Sequence, residues 1–600
     1  MAVSVLLGAS GCAHRGGGRV DPDSPLGWLR TDPSALVARV AAVRGLPQRR
    51  HTPILFHDER GFAEIVAQKL EARPAGPPAI SDSGVFYSAF GFAPPSAARG
   101  TTPEAVQREQ IVAFYDETSQ VVHVRDTATR AEDADGATAW IVAHEIGHAL
   151  QHQYFPIPDL DALPDDDAAL AALSMLEGDA MLTMLAFAAS VNHVPLKRVL
   201  VNAQRAVDRG EIDEYERARG RSPALTAAPA ILRERMTFPY LGGMYFMGQL
   251  YRAGGFPLVN RVYAVPPITT EQIMHVDKYL AGEGPIRVQV PGAPQGYRVL
   301  GSGRMGELQL RVTLGQCIGK AFAYTASAGW GGDAYTVVVS PRGEPALLFS
   351  SVWDAESDAR EFESAARTAG RCWDAAPGPG GFPGPTLVER SGVYVAYVRG
   401  LAPPRAAEAF VSLLAPRTLA FPAKAPFGPI NVPPLQTAPV LPPDVLVPGA
   451  FVSERLGIVA AVPPGFGARL ESGVVLSRSA PSVAMASIGV SDLLATPEAN
   501  EALFTSFIDG IRREVQGIDI GAGGTSYINT PLGAGTMRSW RLANGAAVRL
   551  ILVPICGGTG ALTISQVWFD AFSESELMAW LAGIRPRAAG PPPICAELDP

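Results

Sequence analysis

Residues 140–152 read Trp140-Ile-Val-Ala-His144-Glu145-Ile-Gly-His148-Ala-Leu-Gln-His152. No proline interrupts them, and their apolar residues recur at the spacing of a helix that buries one side. On such a helix His144 and His148, four positions apart, present both imidazoles to the same side and can share one metal ion. Glu145 is rotated away from them, enough to reach a water beside the metal rather than the metal itself. Zinc suits two neutral imidazoles and a carboxylate, and it makes water acidic enough to react near neutral pH. A carboxylate within hydrogen-bond reach then moves the proton. His-Glu-x-x-His fixes only three positions, and with nine histidines in 600 residues it arises by chance in about one such chain in a hundred. It needs a third ligand to carry weight.

A histidine six residues after His148 would mark the metzincins, but Tyr154 stands there, and His152 merely continues the same helix. Downstream, Leu173-Ser-Met-Leu-Glu177-Gly178-Asp179-Ala180 lies in a strongly apolar helical segment that begins after Asp165-Asp166-Asp167. A carboxylate buried there needs a cation or a donor. Glu177 is therefore expected as the third ligand, a gluzincin arrangement with one zinc per chain. Gly178 is expected to let this second helix pack close to the first. Asp179 is expected either to hydrogen-bond a ligand histidine from behind or to face solvent or serve as a local cap.

These residues, with Thr270-Glu-Gln-Ile-Met-His275-Val-Asp-Lys-Tyr279, Ala113-Phe-Tyr-Asp116-Glu and Phe238-Pro-Tyr240-Leu-Gly-Gly, resemble a group of largely uncharacterised prokaryotic gluzincin-like proteins. Ala328-Gly-Trp330-Gly-Gly-Asp333-Ala-Tyr335 and Trp353-Asp-Ala-Glu-Ser-Asp-Ala-Arg-Glu-Phe362 look like the same group's continuation, so the likeness covers roughly 40–400. It implies a zincin-type fold and a zinc-dependent peptidase site acting on protein or peptide. Gly147 stands where Thr is common in that group and His152 where Asp is common; neither change touches a metal ligand. Gluzincins commonly stabilise the oxyanion with a His or Tyr that follows the third ligand. His275 and Tyr279, four apart and able to share a helix face, are candidates, and Tyr240 is another. Strand 121–125 is expected to be the edge along which an extended substrate lies.

The rest of the chain is organised around this segment. The fold class expected is α+β and multidomain. A zincin-like domain over 28–285 combines the active-site helix, a small mixed sheet and a helical subdomain, and two smaller α+β units follow over 286–415 and 451–600. Helices are expected at 33–44 and 60–71, a strand at 53–57, and a hairpin from 111–115 and 121–125. The middle unit should hold strands at 335–340, 346–353 and 392–398 with a charged helix at 355–367. Ten prolines within 416–450 deny backbone donors too often for a helix or central strand, so that stretch reads as a linker. The last unit should contain strands at 455–462, 546–553 and 561–569 and helices at 499–515 and 573–583. It loosely resembles small PsbP-type α/β/α sandwich modules, which implies no catalytic residues.

Composition excludes several classes. Charged residues are only 18% and hydrophobic ones 47%, against disorder or a coiled coil. A net charge of −8 with no basic run argues against nucleic acid as a partner. Val3–Ala9 is a short apolar run leading into Ala9-Ser10-Gly11-Cys12, similar to a bacterial lipoprotein signal over 1–12 that would lipidate Cys12, although no Lys or Arg precedes it. That implies an exported, envelope-associated protein that meets the membrane only through a lipid anchor. Cys317, Cys372, Cys556 and Cys595 then face an oxidising compartment, and the local pairing is expected, Cys317–Cys372 and Cys556–Cys595. His14, His51, His57, His123 and His193 show no ligand spacing. The competing expectation is an envelope binding lipoprotein that keeps a zincin-like metal site without catalysis. An intact Glu145 favours the enzyme, because binding zinc does not require it.

Overall fold

The structure, a computed structural model, describes residues 24–71, 84–92, 111–126, 137–208, 223–375, 382, 385–415, 418–419, 445–447, 449–453, 456–470, 474–478, 484–491, 496–514, 523–542, 546–587, 592 and 594–595. The lipoprotein-type signal with Cys12, His14 and most of the proline-rich stretch lie outside the described residues. The fold is mixed α and β. The chain divides into two compact units, Met1–Phe187 with Gln204–Pro433, and Ala188–Ala203 with Pro434–Pro600. The stretches 28–285 and 286–415 thus fall largely in one unit.

After a short helix at Pro25–Thr31 the first unit continues with helix α1 (Pro33–Arg44), whose N-terminus is capped by the Asp32 carboxylate accepting from Ala35 N–H and whose end is turned by Gly45 at φ 72°. Strand β1 (Ile54–His57), helix α2 (Glu59–Glu71), and strands β2 (Ala113–Asp116) and β3 (Val121–Arg125) follow. The sheet order is β1-β3-β2, with β1 parallel and β2 antiparallel to β3. The strand at 121–125 is therefore central, not the expected edge. The hairpin is local and legible, but the parallel β1–β3 pairing joins residues far apart in sequence, Ile54 with Val122 and His57 with Arg125, with no local signal. Phe114 and His123 face α2 on one side of the sheet, while Val122 and Val124 are fully buried on the other.

That second face carries helix α3 (Ala137–Tyr154), the helix of the His-Glu-x-x-His run. Helix α4 (Asp166–Val191) follows, begun by the Asp165 carboxylate accepting from Ala168 N–H. By length and composition α4 could cross a membrane, yet 89% of its most apolar window is buried, as in a core helix. Helix α5 (Ala230–Val262) contains Pro239 and Pro257 and leaves helical geometry at Gly254 and Gly255. A Cβ placed on Gly178 of α4 would lie 2.2 Å from the carbonyl oxygen of Gly243 on α5, and one on Gly243 2.1 Å from that of Ser174. Gly178 thus admits α5, not α3 as the sequence suggested. The α3–α4 approach is made instead at Gly147, where a Cβ would stand 3.2 Å from the Cα of Ala180.

Two short helices, α6 (Thr270–Met274) and α7 (Val276–Ala281), lead into strand β4 (Arg298–Gly303), helix α8 (Gly306–Ile318), strands β5 (Trp330–Val339) and β6 (Pro345–Trp353), helix α9 (Glu356–Ala375), and strands β7 (Leu387–Ser391) and β8 (Tyr394–Arg399). These strands form an antiparallel sheet in the order β4-β5-β6-β8-β7. Val337, Leu347, Phe349 and Tyr397 face α8 and α9, and alternate residues Val338, Leu348 and Val398 face the helix Pro403–Leu413. Phe86 and Tyr87 of the helix Gly84–Ala89, and Phe90 just after it, share the first of these cores with Trp330 and Trp353. Segments on either side of residue 285 therefore fold around one core. The disulfide Cys317–Cys372 links α8 to α9.

In the second unit a seven-stranded antiparallel sheet contains the strands Ala547–Ile555 and Gly560–Trp568 at its centre. Leu550 and Leu552 pack with Phe504 and Ile508 of the helix Pro497–Glu514, whereas Ile551 and Val553 pack with Leu577 and Leu581 of the helix Ala571–Gly583. Alternation along one strand thus puts a helix on each face. The disulfide Cys556–Cys595 lies in this unit.

Candidate metal centre

His144 and His148 come from consecutive turns of α3 and Glu177 from α4. Their facing atoms form a near-equilateral triangle. His144 Nε2 is 3.0 Å from Glu177 Oε2 and 3.1 Å from His148 Nε2, and His148 Nε2 is 3.3 Å from Glu177 Oε2. Three ligand atoms at zinc bond lengths and tetrahedral angles stand about 3.3 Å apart, so the donor set fits a zinc-sized ion. The three side chains are largely buried, with 8%, 21% and 14% exposure. Charge points the same way. Burial pushes the His148 imidazolium down, but Glu177 outweighs it and raises the group to about 10. Burial pushes Glu177 up, and His148 and His144 more than reverse this, holding it well below the usual carboxylate range. Glu177 is thereby held as the carboxylate that a cation needs, whereas His148 must release a proton on ligation, a proton that a metal ion would displace from beside Glu177.

Glu145 sits beside the triangle. Its Oε2 accepts a hydrogen bond from the backbone N–H of Tyr115 in β2, at 2.8 Å. Burial raises its carboxyl above the ordinary range, against the pull of His144 and His148. Tyr115 also places its hydroxyl 2.9 Å from His152 Nδ1, so one residue of β2 grips α3 at two points two turns apart. Tyr240 of α5 lies against His144, ring centroids 5.9 Å apart, and is hydrogen-bonded to Glu177. The charge on Glu177, together with burial, raises its phenol well above the usual value, so it keeps its proton at neutral pH.

Behind His148 is a shell that the sequence did not reveal. Nδ1 of His148 meets Gln151 Oε1 at 3.0 Å. Gln151 Nε2 in turn donates to the Leu176 carbonyl at 2.9 Å and approaches Asp179 Oδ2 at 3.4 Å. Asp179 is fully buried and takes two hydrogen bonds at 3.0 Å from Arg44 and one at 2.7 Å from Tyr263. It therefore reaches the ligand histidine through Gln151 rather than directly, and it caps nothing. Gln151 stands three residues after His148, a spacing that puts both on one helix face. Arg44 and Tyr263 carried no comparable signal.

The other expected participants have partners of their own. His275 has φ −120° and ψ 83° and separates α6 from α7, so the helix face it was to share with Tyr279 does not exist. Its Nε2 lies 3.0 Å from the buried Glu307 carboxylate. Tyr279 donates to the Val265 carbonyl at 2.7 Å and packs edge-on against Phe246. Glu271, Glu283 and Asp354 form another acidic cluster, but the ammonium of Lys278 is already bonded to all three. His57 and His123 pair with each other, ring nitrogens 2.9 Å apart.

One family model, described as a domain of unknown function (DUF8575), matches residues 296–410. That span runs from β4 into the helix Pro403–Leu413, and it includes neither α3 nor α4. No curated protein matches the chain.

Proposed function

We propose that the first unit is a zinc-dependent peptidase of gluzincin type, with His144, His148 and Glu177 as the metal ligands. The observation that carries this reading is the triangle of three ligand atoms 3.0–3.3 Å apart with a fourth group, Glu145, held beside it by a backbone N–H. A zinc ion held by these residues supplies Lewis acidity, polarising a peptide carbonyl and acidifying water. Glu145 is the general base and acid. With Oε2 taken by Tyr115 N–H, Oε1 is left to accept a proton from the attacking water and return it to the departing amine. Tyr240, protonated and adjacent to His144, is the donor placed for the developing oxyanion. Two disulfides suit an oxidising compartment, which agrees with export and anchoring through Cys12.

The test combines elemental analysis of the purified protein with cleavage of an unstructured protein substrate. Wild type should carry about one zinc per chain and cleave. Glu145→Gln should keep the metal and lose cleavage, and His148→Ala should lose both. Zinc-loaded wild type that hydrolyses no member of a peptide library would defeat the peptidase reading and leave the non-catalytic binding lipoprotein.

A further inference from the structure

The amide of Gln151 has only one orientation that its surroundings accept. One end faces two groups that can only accept a hydrogen bond, the Leu176 carbonyl at 2.9 Å and the Asp179 carboxylate at 3.4 Å. Asp179 is fixed as an acceptor because the buried Arg44 guanidinium binds both its oxygens and the Tyr263 hydroxyl adds a third donor. The end facing them must be the NH2 group. The other end, 3.0 Å from His148 Nδ1, is then the carbonyl oxygen, which can only accept. Nδ1 must therefore carry a proton.

From this we propose that Gln151 is the positioning residue of the centre. It locks His148 with hydrogen on Nδ1, so that the Nε2 lone pair is the one aimed at His144 and Glu177, and the Arg44–Asp179–Tyr263 group fixes Gln151 in turn. The chain of constraint runs from a charged pair that is 1% exposed on both sides, through one amide, to one ring nitrogen. A direct carboxylate partner would bring a net negative charge next to His148. The amide fixes the tautomer while keeping that charge one step back on Asp179, where Arg44 neutralises it.

This inference rests on the metal-centre reading, and the experiment separates the two. Zinc affinity is measured by competition with a chromophoric chelator in wild type and in Gln151→Met, which keeps the side-chain volume but can neither accept from Nδ1 nor donate. The expected result is a 10- to 100-fold weaker zinc affinity, the usual effect of losing such a partner. In parallel, the imidazole 15N and 1H resonances of His148 are recorded in wild type with and without zinc. An Nδ1 proton protected from solvent exchange in both states, with zinc on Nε2, supports the proposal. Unchanged affinity in a folded Gln151→Met, or an Nδ1 proton that exchanges like that of an exposed imidazole in wild type, overturns it. Wild type that binds no zinc defeats the metal reading alone, and Nδ1 protection still decides the role of Gln151. The wild-type spectrum also covers a variant that fails to fold.

Discussion

Replacing Gly178 with alanine probes the contact that sets the site. The added Cβ would lie 2.2 Å from the Gly243 carbonyl oxygen, 2.3 Å from its carbon and 2.7 Å from its Cα. Ordinary contact begins near 3.4 Å, so α4 and α5 must part by about 1 Å. A side chain could swing aside, but a helix backbone cannot, which puts the cost at the upper end of overpacking, about 3 kcal/mol. Alanine recovers about 1 kcal/mol of helix propensity, leaving a net loss of about 2 kcal/mol. At ~2–4 °C per kcal/mol, the first unit should unfold about 4–8 °C lower. The same displacement carries Tyr240, three residues before Gly243, away from Glu177, so any hydrolysis should fall while the donor triangle on α3 and α4 is kept. Gly147→Ala is the control. Its Cβ would be 3.2 Å from the Cα and 3.4 Å from the Cβ of Ala180, a strain of a few tenths of an ångström that helix propensity roughly offsets. Differential scanning calorimetry on both variants decides the matter. A Gly178→Ala protein as stable as wild type, or less perturbed than Gly147→Ala, refutes the backbone-contact argument.

Three further outcomes are expected. Arg44→Met and Asp179→Asn should each cost about 3–5 kcal/mol by leaving a buried charge or its donors without a partner. The double variant should cost less than their sum, and strict additivity in denaturant titrations would count against the pair. Burial pushes the Asp333 carboxyl up to about 6, against the pull of the Met305 and Gly306 N–H groups, Arg304 and Trp330. Because the folded state then holds a proton that the unfolded state, at 3.8, has released, the contribution is complete below about pH 4 and is lost as pH rises through 6. The wild-type unfolding temperature should therefore fall relative to that of Asp333→Asn across that window, and parallel curves would deny the shift. Removing the Cys317–Cys372 bridge, whose ends are 55 residues apart, with paired serines should cost up to about 4 kcal/mol by the chain-entropy relation. Thermal unfolding without reductant would expose the absence of any effect.

Much of the cluster was legible because the spacing of side chains along one helix is a local property. His144 and His148 had to share a helix face, and an acidic residue in a strongly apolar helix had to find a cation or a donor, so the three side chains that the fold brings together could be read from two helices. Two strands of the middle sheet were also visible as β-rich runs at 335–340 and 346–353, although the first in fact begins five residues earlier, at Trp330. Arg298–Gly303 was not, since half its residues are Gly or Ser and its pattern marks no buried face. His275 and Tyr279 were misplaced because the break between α6 and α7 carries no proline or glycine. Asp179 was placed one residue too close to the metal, because only the folded chain brings Arg44, 135 positions away, onto its carboxylate.

The register of the two ligand-bearing helices has a cause that the motif does not contain. His-Glu-x-x-His fixes two imidazoles on α3, and Glu-Gly-Asp fixes a carboxylate on α4, but neither says how α5 crosses them. Gly178 follows Glu177 directly, and Gly243 lies one turn beyond Tyr240, so a point at which α4 and α5 touch backbone to backbone is also the point that sets Tyr240 against Glu177 and His144. A chain with the same histidines and glutamates but a larger residue at 243 could still hold a metal on α3 and α4. It could not hold Tyr240 against the metal triangle, because the helix that carries the tyrosine would be held off by the added side chain. The glycine after the ligand glutamate is thus tied to the donor on α5 rather than to the metal, and that separates the residues that would bind zinc from those that would use it.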